Sequence, residues 1–286
     1  MKYAVIDIGS NSVRLLLESD GKTLYKELNT TRLGEGIALT GKLSSDAMRR
    51  TASAIRDFKV KALNDGAAEV FAFATAAVRS ATNGAEFVAL VQKEADIVVD
   101  VISGEEEASV GLIGALGNAD GGIVDIGGGS TEITLRKNKK IVYSKSVNIG
   151  AVRLFDLCDR DRKKLEAVIN EKIKEYGSID CRVPVYGIGG TATSLAALAL
   201  GLKHYDGEKV HGFVLTVERL ETLTDELFKI SPEELVENTC VQPKRAEIIA
   251  GGAALLLALM KKFHIFTVTV SENDNLEGYL LKRLMK

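Results

Sequence analysis

Tryptophan is absent from the 286-residue chain, and proline, cysteine and histidine occur only three times each. Cys158, Cys181 and Cys240 are odd in number, far apart and in no C-x-x-C pair. A disulfide framework and a cysteine-ligated zinc site are thereby excluded, and a reducing cytoplasm is the expected location. His204, His211 and His264 share no metal-ligand spacing. Long apolar runs are missing too. The longest, Ala253–Met260, has eight residues, whereas a membrane span needs about 20. No basic segment leads into an apolar one at the start, where Met1–Asp7 already reads as a strand, so neither export nor membrane insertion is expected. Excess charge of either sign is lacking: 37 Lys+Arg stand against 39 Asp+Glu. Such a chain is no general polyanion binder and is not expected to bind nucleic acid. A phosphate-rich partner would need a local site.

What is present is a globular composition, 46% hydrophobic and 27% charged, with glycines concentrated in a few places. The chain also repeats itself. Y-A-V-I-D-I-G-S-N-S at 3–12 returns as G-G-I-V-D-I-G-G-G-S at 121–130, an offset of 118. Each copy leads into an apolar-rich strand (Val13–Glu18, Thr131–Arg136), a polar turn (Asp20-Gly21, Lys137-Asn138) and a returning strand (about Thr23–Thr31, Lys139–Asn148). Helices follow over Asp46–Asn64, with Ser44 as N-cap, and over about Asp161–Tyr176. Buried strands come next, Glu69–Ala74 and Val183–Ile188, each running into a small-residue turn. A last strand and helix close each half: Ile97–Ile102 with Glu105–Leu116, and Phe266–Val270 with Leu276–Lys286. The second half has an extra helical stretch, about Val217–Lys229 and Lys244–Lys262. This order predicts two duplicated α/β domains, 1–119 and 120–286, with mixed sheets flanked by helices and a cleft between them.

The loops suggest chemistry. In Asp7–Ser12 and Asp125–Thr131, successive backbone N–H groups can form a nest for an anion. A carboxylate beside phosphate oxygens needs a cation between them, so Asp7 and Asp125 read as ligands of a phosphate-bound Mg²⁺, direct or through water. They could equally be turn residues capping the backbone. Gly187–Thr191 ends a strand and opens a helix, a plausible third phosphate contact. Glu105–Glu107 at a helix start would complement the helix dipole, or one of them could face the cleft as a general base. Arg79 and Arg32 could clamp phosphate oxygens or make surface ion pairs.

D-I-G-S-N-S at Asp7–Ser12, R-L-G-E-G at Arg32–Gly36, A-x-R-x-A around Arg79 and S-G-E-E-E-A at Ser103–Ala108 occur in order. D-I-G-G-G-S-T-E at Asp125–Glu132, G-I-G-G-T at Gly187–Thr191, V-H-G at Val210–Gly212 and P-K-R-A-E-I-I at Pro243–Ile249 follow. Over nearly its whole length the chain resembles the exopolyphosphatase / guanosine-pentaphosphate phosphatase family, of the actin-like ATPase superfamily with its ribonuclease H-like domains. The resemblance implies Mg²⁺-dependent hydrolysis of a terminal phosphoanhydride, on inorganic polyphosphate or guanosine pentaphosphate. It implies Glu107 as the general base, with Glu106 as the neighbour easily confused with it, and Asp125 and Glu132 in metal or water positioning. Phosphate contacts are implied at Ser10, Asn11, Gly127, Gly128, Gly129, Ser130 and Thr131, with Gly189, Gly190 and Thr191 from the third turn and with Arg32 and Arg79. A homodimer is compatible with it. One departure is Asp274-Asn275-Leu276-Glu277-Gly278, where the family often has a Gly-Leu-Arg-Glu-Gly-like stretch. The two-domain length resembles the family's short form. Two rival classes use similar loops: an ATP-dependent kinase of the same superfamily, and a non-enzymatic nucleotide- or alarmone-binding switch.

Overall fold

The computed structural model describes every residue except Cys181 and Lys286; the cysteine reading at position 181 therefore lies outside the described residues. Strands β1 (Lys2–Ile8), β2 (Val13–Ser19), β3 (Lys22–Asn29), β4 (Glu69–Ala74) and β5 (Val99–Val101) form one sheet, in the order β3-β2-β1-β4-β5. Strands β6 (Gly121–Ile126), β7 (Thr131–Lys137), β8 (Lys140–Val147), β9 (Val185–Ile188), β10 (Val214–Thr216) and β11 (Thr267–Val270) form a second, in the order β10-β11-β9-β6-β7-β8. In both, the first three strands are antiparallel and the next two in sheet order are parallel to the first; β10 adds an antiparallel edge to the second sheet. This is the duplicated, mixed-sheet α/β class expected from the sequence. Central strands such as β1 and β6 are buried on both faces, which is why they read as near-continuous apolar runs.

The repeat holds to fine detail. A β-bulge falls between Leu17 and Glu18 in one sheet and between Leu135 and Arg136 in the other, again 118 residues apart. The hairpin turns also correspond. Asp20 and Gly21 have positive φ (52° and 78°), as do Asn138 and Lys139 (52° and 61°). The second turn is therefore Asn138-Lys139, one residue beyond the expected Lys137-Asn138. The matching register forces it, because both turns reverse the chain with two central residues at positive φ, the type I′ form that suits the right-handed twist of the flanking strands.

Helices pack on both sheets. Ser44 caps the helix Ser45–Asn64 by accepting the Ala47 N–H at 3.2 Å, and Ile55 and Phe58 bury against the first sheet. In the second half, Leu220, Leu223 and Leu227 of Val217–Lys229 meet Leu255, Leu256 and Leu259 of Ile249–Lys262 in one core. The single helix expected over Lys244–Lys262 is broken at Glu247-Ile248, after a short turn at Pro243–Ala246. Helices at Gly84–Ala95 and Ala151–Cys158, and the edge strand β10, add to the predicted elements. No helix among the described residues is long and apolar enough to cross a membrane.

The two closing helices cross over. Gly104–Leu116 follows β5 but lies on the second sheet, with Leu112 against Ile123 and Ile188. Asn275–Leu284 follows β11 but lies on the first, with Leu276, Tyr279 and Leu280 against Val5, Leu16 and Phe73. They touch where Gly111, Gly114 and Gly278 are bare: a Cβ on Gly114 would come within 2.8 Å of the Asp274 carbonyl carbon. Division at 119/120 thus separates the two sheets but not the helices that cover them. Both helices start at the cleft.

Candidate active site

The two repeated loops face each other. The Gly9 N–H donates to the Ser12 carbonyl at 3.0 Å, and the Gly127 N–H to the Ser130 carbonyl at 3.0 Å, so the backbones match. None of the N–H groups of Ser10, Asn11, Gly128 and Gly129 is used in a backbone–backbone hydrogen bond among the described residues. The glycines of the second loop are bare because the first loop presses on them. A Cβ on Gly128 or Gly129 would come within 2.8 Å of the Ser10 side chain. Between the loops lies a cavity of about 90 Å³, lined also by Thr75, Ala76, Glu107, Gly189, Gly190 and Thr191. At about 30 Å³ per water it has room for about three waters, or for one phosphoryl-sized group.

Three carboxylates line this cavity, Asp7, Glu107 and Asp125, and a fourth, Glu132, lies just behind it. Asp7, Glu107, Asp125 and Glu132 are all buried. Burial pushes the Asp125 carboxyl up to about 8, with the charges of Glu107 and Asp274 adding to the shift. Burial and the charge of Glu132 raise Glu107 well above its ordinary range, although Arg79 opposes them. Burial and the charge of Asp125 raise Glu132, against hydrogen bonds from Ser146 and Ser130. Asp7 is raised by burial but restrained by Arg14.

The Glu run is resolved by what each side chain meets. Glu106 is bound to Lys282 on the C-terminal helix, whereas Glu107 lines the cavity, 6% exposed, with Oε2 accepting from Arg79 Nη1 at 2.9 Å. Arg79 also donates to the Ile102 carbonyl at 2.9 Å, and it does not line the cavity. Arg32 is spent on Glu247 and on the Lys244 carbonyl. This corrects the expected direct clamps: the first arginine holds Glu107, and the second ties the halves together. Thr131 and Glu132 also lie behind the cavity wall. The Thr131 hydroxyl donates to the Ile149 carbonyl at 2.6 Å, and Glu132 Oε1 accepts from Ser130 at 2.7 Å and Ser146 at 2.5 Å.

Three lining residues were not foreseen in this role. Arg14, on β2, donates to Asp7 through Nε at 3.0 Å and also binds Asp274. Its signal was available: it is the residue paired across the hairpin with Asp7. Arg245 makes no salt bridge among the described residues, and its Nη1 donates to Ser194 Oγ at 3.5 Å. Burial and the nearby Arg14 lower its pKa to about 10. Asn275 Nδ2 donates to Asp125 Oδ2 at 2.9 Å. Arg14, Gly189, Gly190 and Arg245 also line a second cavity of about 350 Å³.

The donor set fits a divalent cation of the Mg²⁺ type. Asp7 Oδ1 is buried without a partner, and Asp125 keeps Oδ1 clear of its bond to Asn275. Among the described residues no three His, Cys, Asp or Glu side chains converge in ligand geometry. Mg²⁺ does not require that, since it usually takes one or two carboxylates and fills its shell with water and phosphate oxygens.

Residues 16–286 match the Ppx/GppA phosphatase family. The chain belongs to that family. Exopolyphosphatase 2 of Mycobacterium tuberculosis is 32% identical over 98% of each chain. The bifunctional 3-dehydroquinate synthase/phosphatase of Fusobacterium nucleatum is 31% identical over 98% of this chain, which spans only 46% of that relative. Among solved structures, the Aquifex aeolicus member of the Ppx/GppA family superposes with a TM-score of 0.79 at 31% identity, over 100% of this chain and 98% of its own. The family match begins at residue 16, just past the first loop, whereas the superposition on the Aquifex aeolicus structure spans both halves of the repeat.

Proposed function

We propose that this family member is an exopolyphosphatase, a hydrolase that releases the terminal phosphate of inorganic polyphosphate. One observation carries the reading: a buried carboxylate, Glu107, shares a phosphate-sized cavity with both repeated loops. Asp7 and Asp125 would hold Mg²⁺, which when bound neutralises phosphate oxygens beside the carboxylates. The loop N–H groups orient the terminal phosphoryl group. Glu107 Oε1 takes a proton from a water in line with the scissile bond; the water oxygen bonds to phosphorus as the anhydride P–O bond breaks. Arg79 fixes Glu107 through its other oxygen. Charge growing on the leaving phosphate is met by Arg14, Arg245 and the backbone at Gly189-Gly190. Such chemistry needs positioning and charge neutralisation rather than a Cys or His nucleophile.

Guanosine pentaphosphate is the second reading, favoured by the 350 Å³ cavity that opens past Arg14 and Arg245 and could take a nucleoside. The deciding experiment compares phosphate release from defined-length polyphosphates and guanosine pentaphosphate, with and without Mg²⁺. Release from the nucleotide alone would select the second reading, and release from neither would end both. A cytoplasmic location and a homodimer belong to the same proposal; fractionation and light scattering test them.

A further inference from the structure

We infer that Asn275 is a positioning residue that fixes the Asp125 carboxylate for its cation. The inference rests on the hydrolase reading above and deepens it.

Asn275 opens the C-terminal helix, which packs on the first sheet, yet its side chain reaches the loop of the second. It is 4% exposed, and its Nδ2 donates to Asp125 Oδ2 at 2.9 Å. The other end of the amide, Oδ1, finds no donor. It lies against the bare Gly111, where a Cβ would come within 2.6 Å. With Asp125 ionised for its cation, turning the amide over would set a carbonyl oxygen against a carboxylate, so the amino group faces Asp125. A buried carbonyl left unpaired is a stability cost. The fold accepts that cost in order to place one donor on one oxygen of Asp125, leaving Oδ1 toward the cavity.

The preceding residue does the corresponding work on the other loop. Asp274 binds Arg14, which binds Asp7. The helix start is itself locked by a capping box, in which Asp274 Oδ1 accepts the Leu276 N–H at 3.0 Å and Glu277 Oε2 accepts the Asp274 N–H at 2.9 Å. Two consecutive residues therefore set the two equivalent aspartates. In the duplication this helix corresponds to the one that carries Glu107. The first half uses the position to present a base, and the second to orient a ligand. It is also where the sequence departs from the family pattern, at Asp274-Asn275-Leu276.

The test uses the full chain with Asn275→Leu, which keeps the volume and removes the donor, and Asn275→Ala beside it in case the first does not fold. Mn²⁺ binding is read by electron paramagnetic resonance without substrate. Loss of an outer partner of a metal ligand costs about 10- to 100-fold in affinity or activity. The expected result is a Mn²⁺ dissociation constant raised at least about 10-fold, with kcat falling similarly and KM for polyphosphate unchanged within about twofold. Unchanged Mn²⁺ affinity in a folded variant, or a change confined to KM, overturns the inference. A wild-type protein that binds Mn²⁺ but cleaves no phosphoanhydride would instead overturn the proposed function, and the Mn²⁺ comparison would still decide the role of Asn275.

Discussion

At an offset of 118, Asp7 faces Arg14 across the first hairpin and Asp125 faces Glu132 across the second. The backbones agree down to the Gly9 and Gly127 hydrogen bonds, but the partners have opposite charge. Arg14 occupies Asp7 Oδ2 and keeps that carboxylate near charge balance inside the protein. Asp125 has an acid across from it instead, and burial, with the charges of Glu107 and Asp274, raises its pKa to about 8. Like charges at close range in a poorly solvated site cannot all stay ionised without a cation or a proton. Duplication thus kept the scaffold and divided the work. The first loop has a cation, Arg14, paired with its aspartate, and the second has an acid across from its own.

The largest effect should come from the base that both loops face. Glu107→Gln is expected to lower kcat about 10³-fold, within the range for loss of a general base, while leaving the melting curve unchanged. Undiminished phosphate release would remove Glu107 from that role.

Next comes the charge partner. Arg14→Gln leaves buried Asp7 and Asp274 without their cation and should cost about 3 kcal/mol in chemical denaturation. Glu132→Gln, at the matching position, should instead be neutral or stabilising because it relieves a like-charge contact. Equal signs for the two variants would show that the loops do not differ electrostatically.

Asp125→Asn should reduce turnover about 10²-fold, within the range for an outer-shell or ligand change, and should change the pH dependence of stability in chelator. The folded pKa of about 8 lies above the ordinary 3.8. The folded chain therefore holds the proton more tightly than the unfolded one. That contribution is full below about pH 4 and is lost as pH rises through about 8. The metal-free wild type should lose melting temperature across this window, and Asp125→Asn should flatten the loss.

The smallest effect tests the duplication alone. Lys139 has φ 61° where its counterpart Gly21 has φ 78°. Lys139→Gly should gain up to about 1 kcal/mol, or about 2 °C in melting temperature, and Gly21→Lys should lose a similar amount, with activity unchanged in both.

Much of the scaffold was legible because it rests on short-range rules. Alternation along strands, turn residues and the 118-residue repeat located both loops and most elements of both sheets. The Val217–Lys229 helix falls where the sequence placed it. Other features depended on contacts that no local pattern encodes. Glu106 and Glu107 are equally good first-turn residues for a helix dipole, and only the position of Lys282 on a distant helix separates them. Arg79 and Arg32 were recognisable as cleft-side cations, but their partners, Glu107 and Glu247, lie 28 and 215 residues away. Arg245 reads as one basic residue among many until the break after Pro243–Ala246 turns it toward Gly190.

By itself the sequence determined the two loops, their carboxylates and the strand–hairpin–helix order that presents them, since each follows from residue type and spacing along the chain. The tertiary structure alone decided the charge of each loop's surroundings. It did so by crossing the two closing helices, which brings Glu107 and Asn275 to one cavity. Burial and proximity set those energies, and both are properties of residues far apart in sequence.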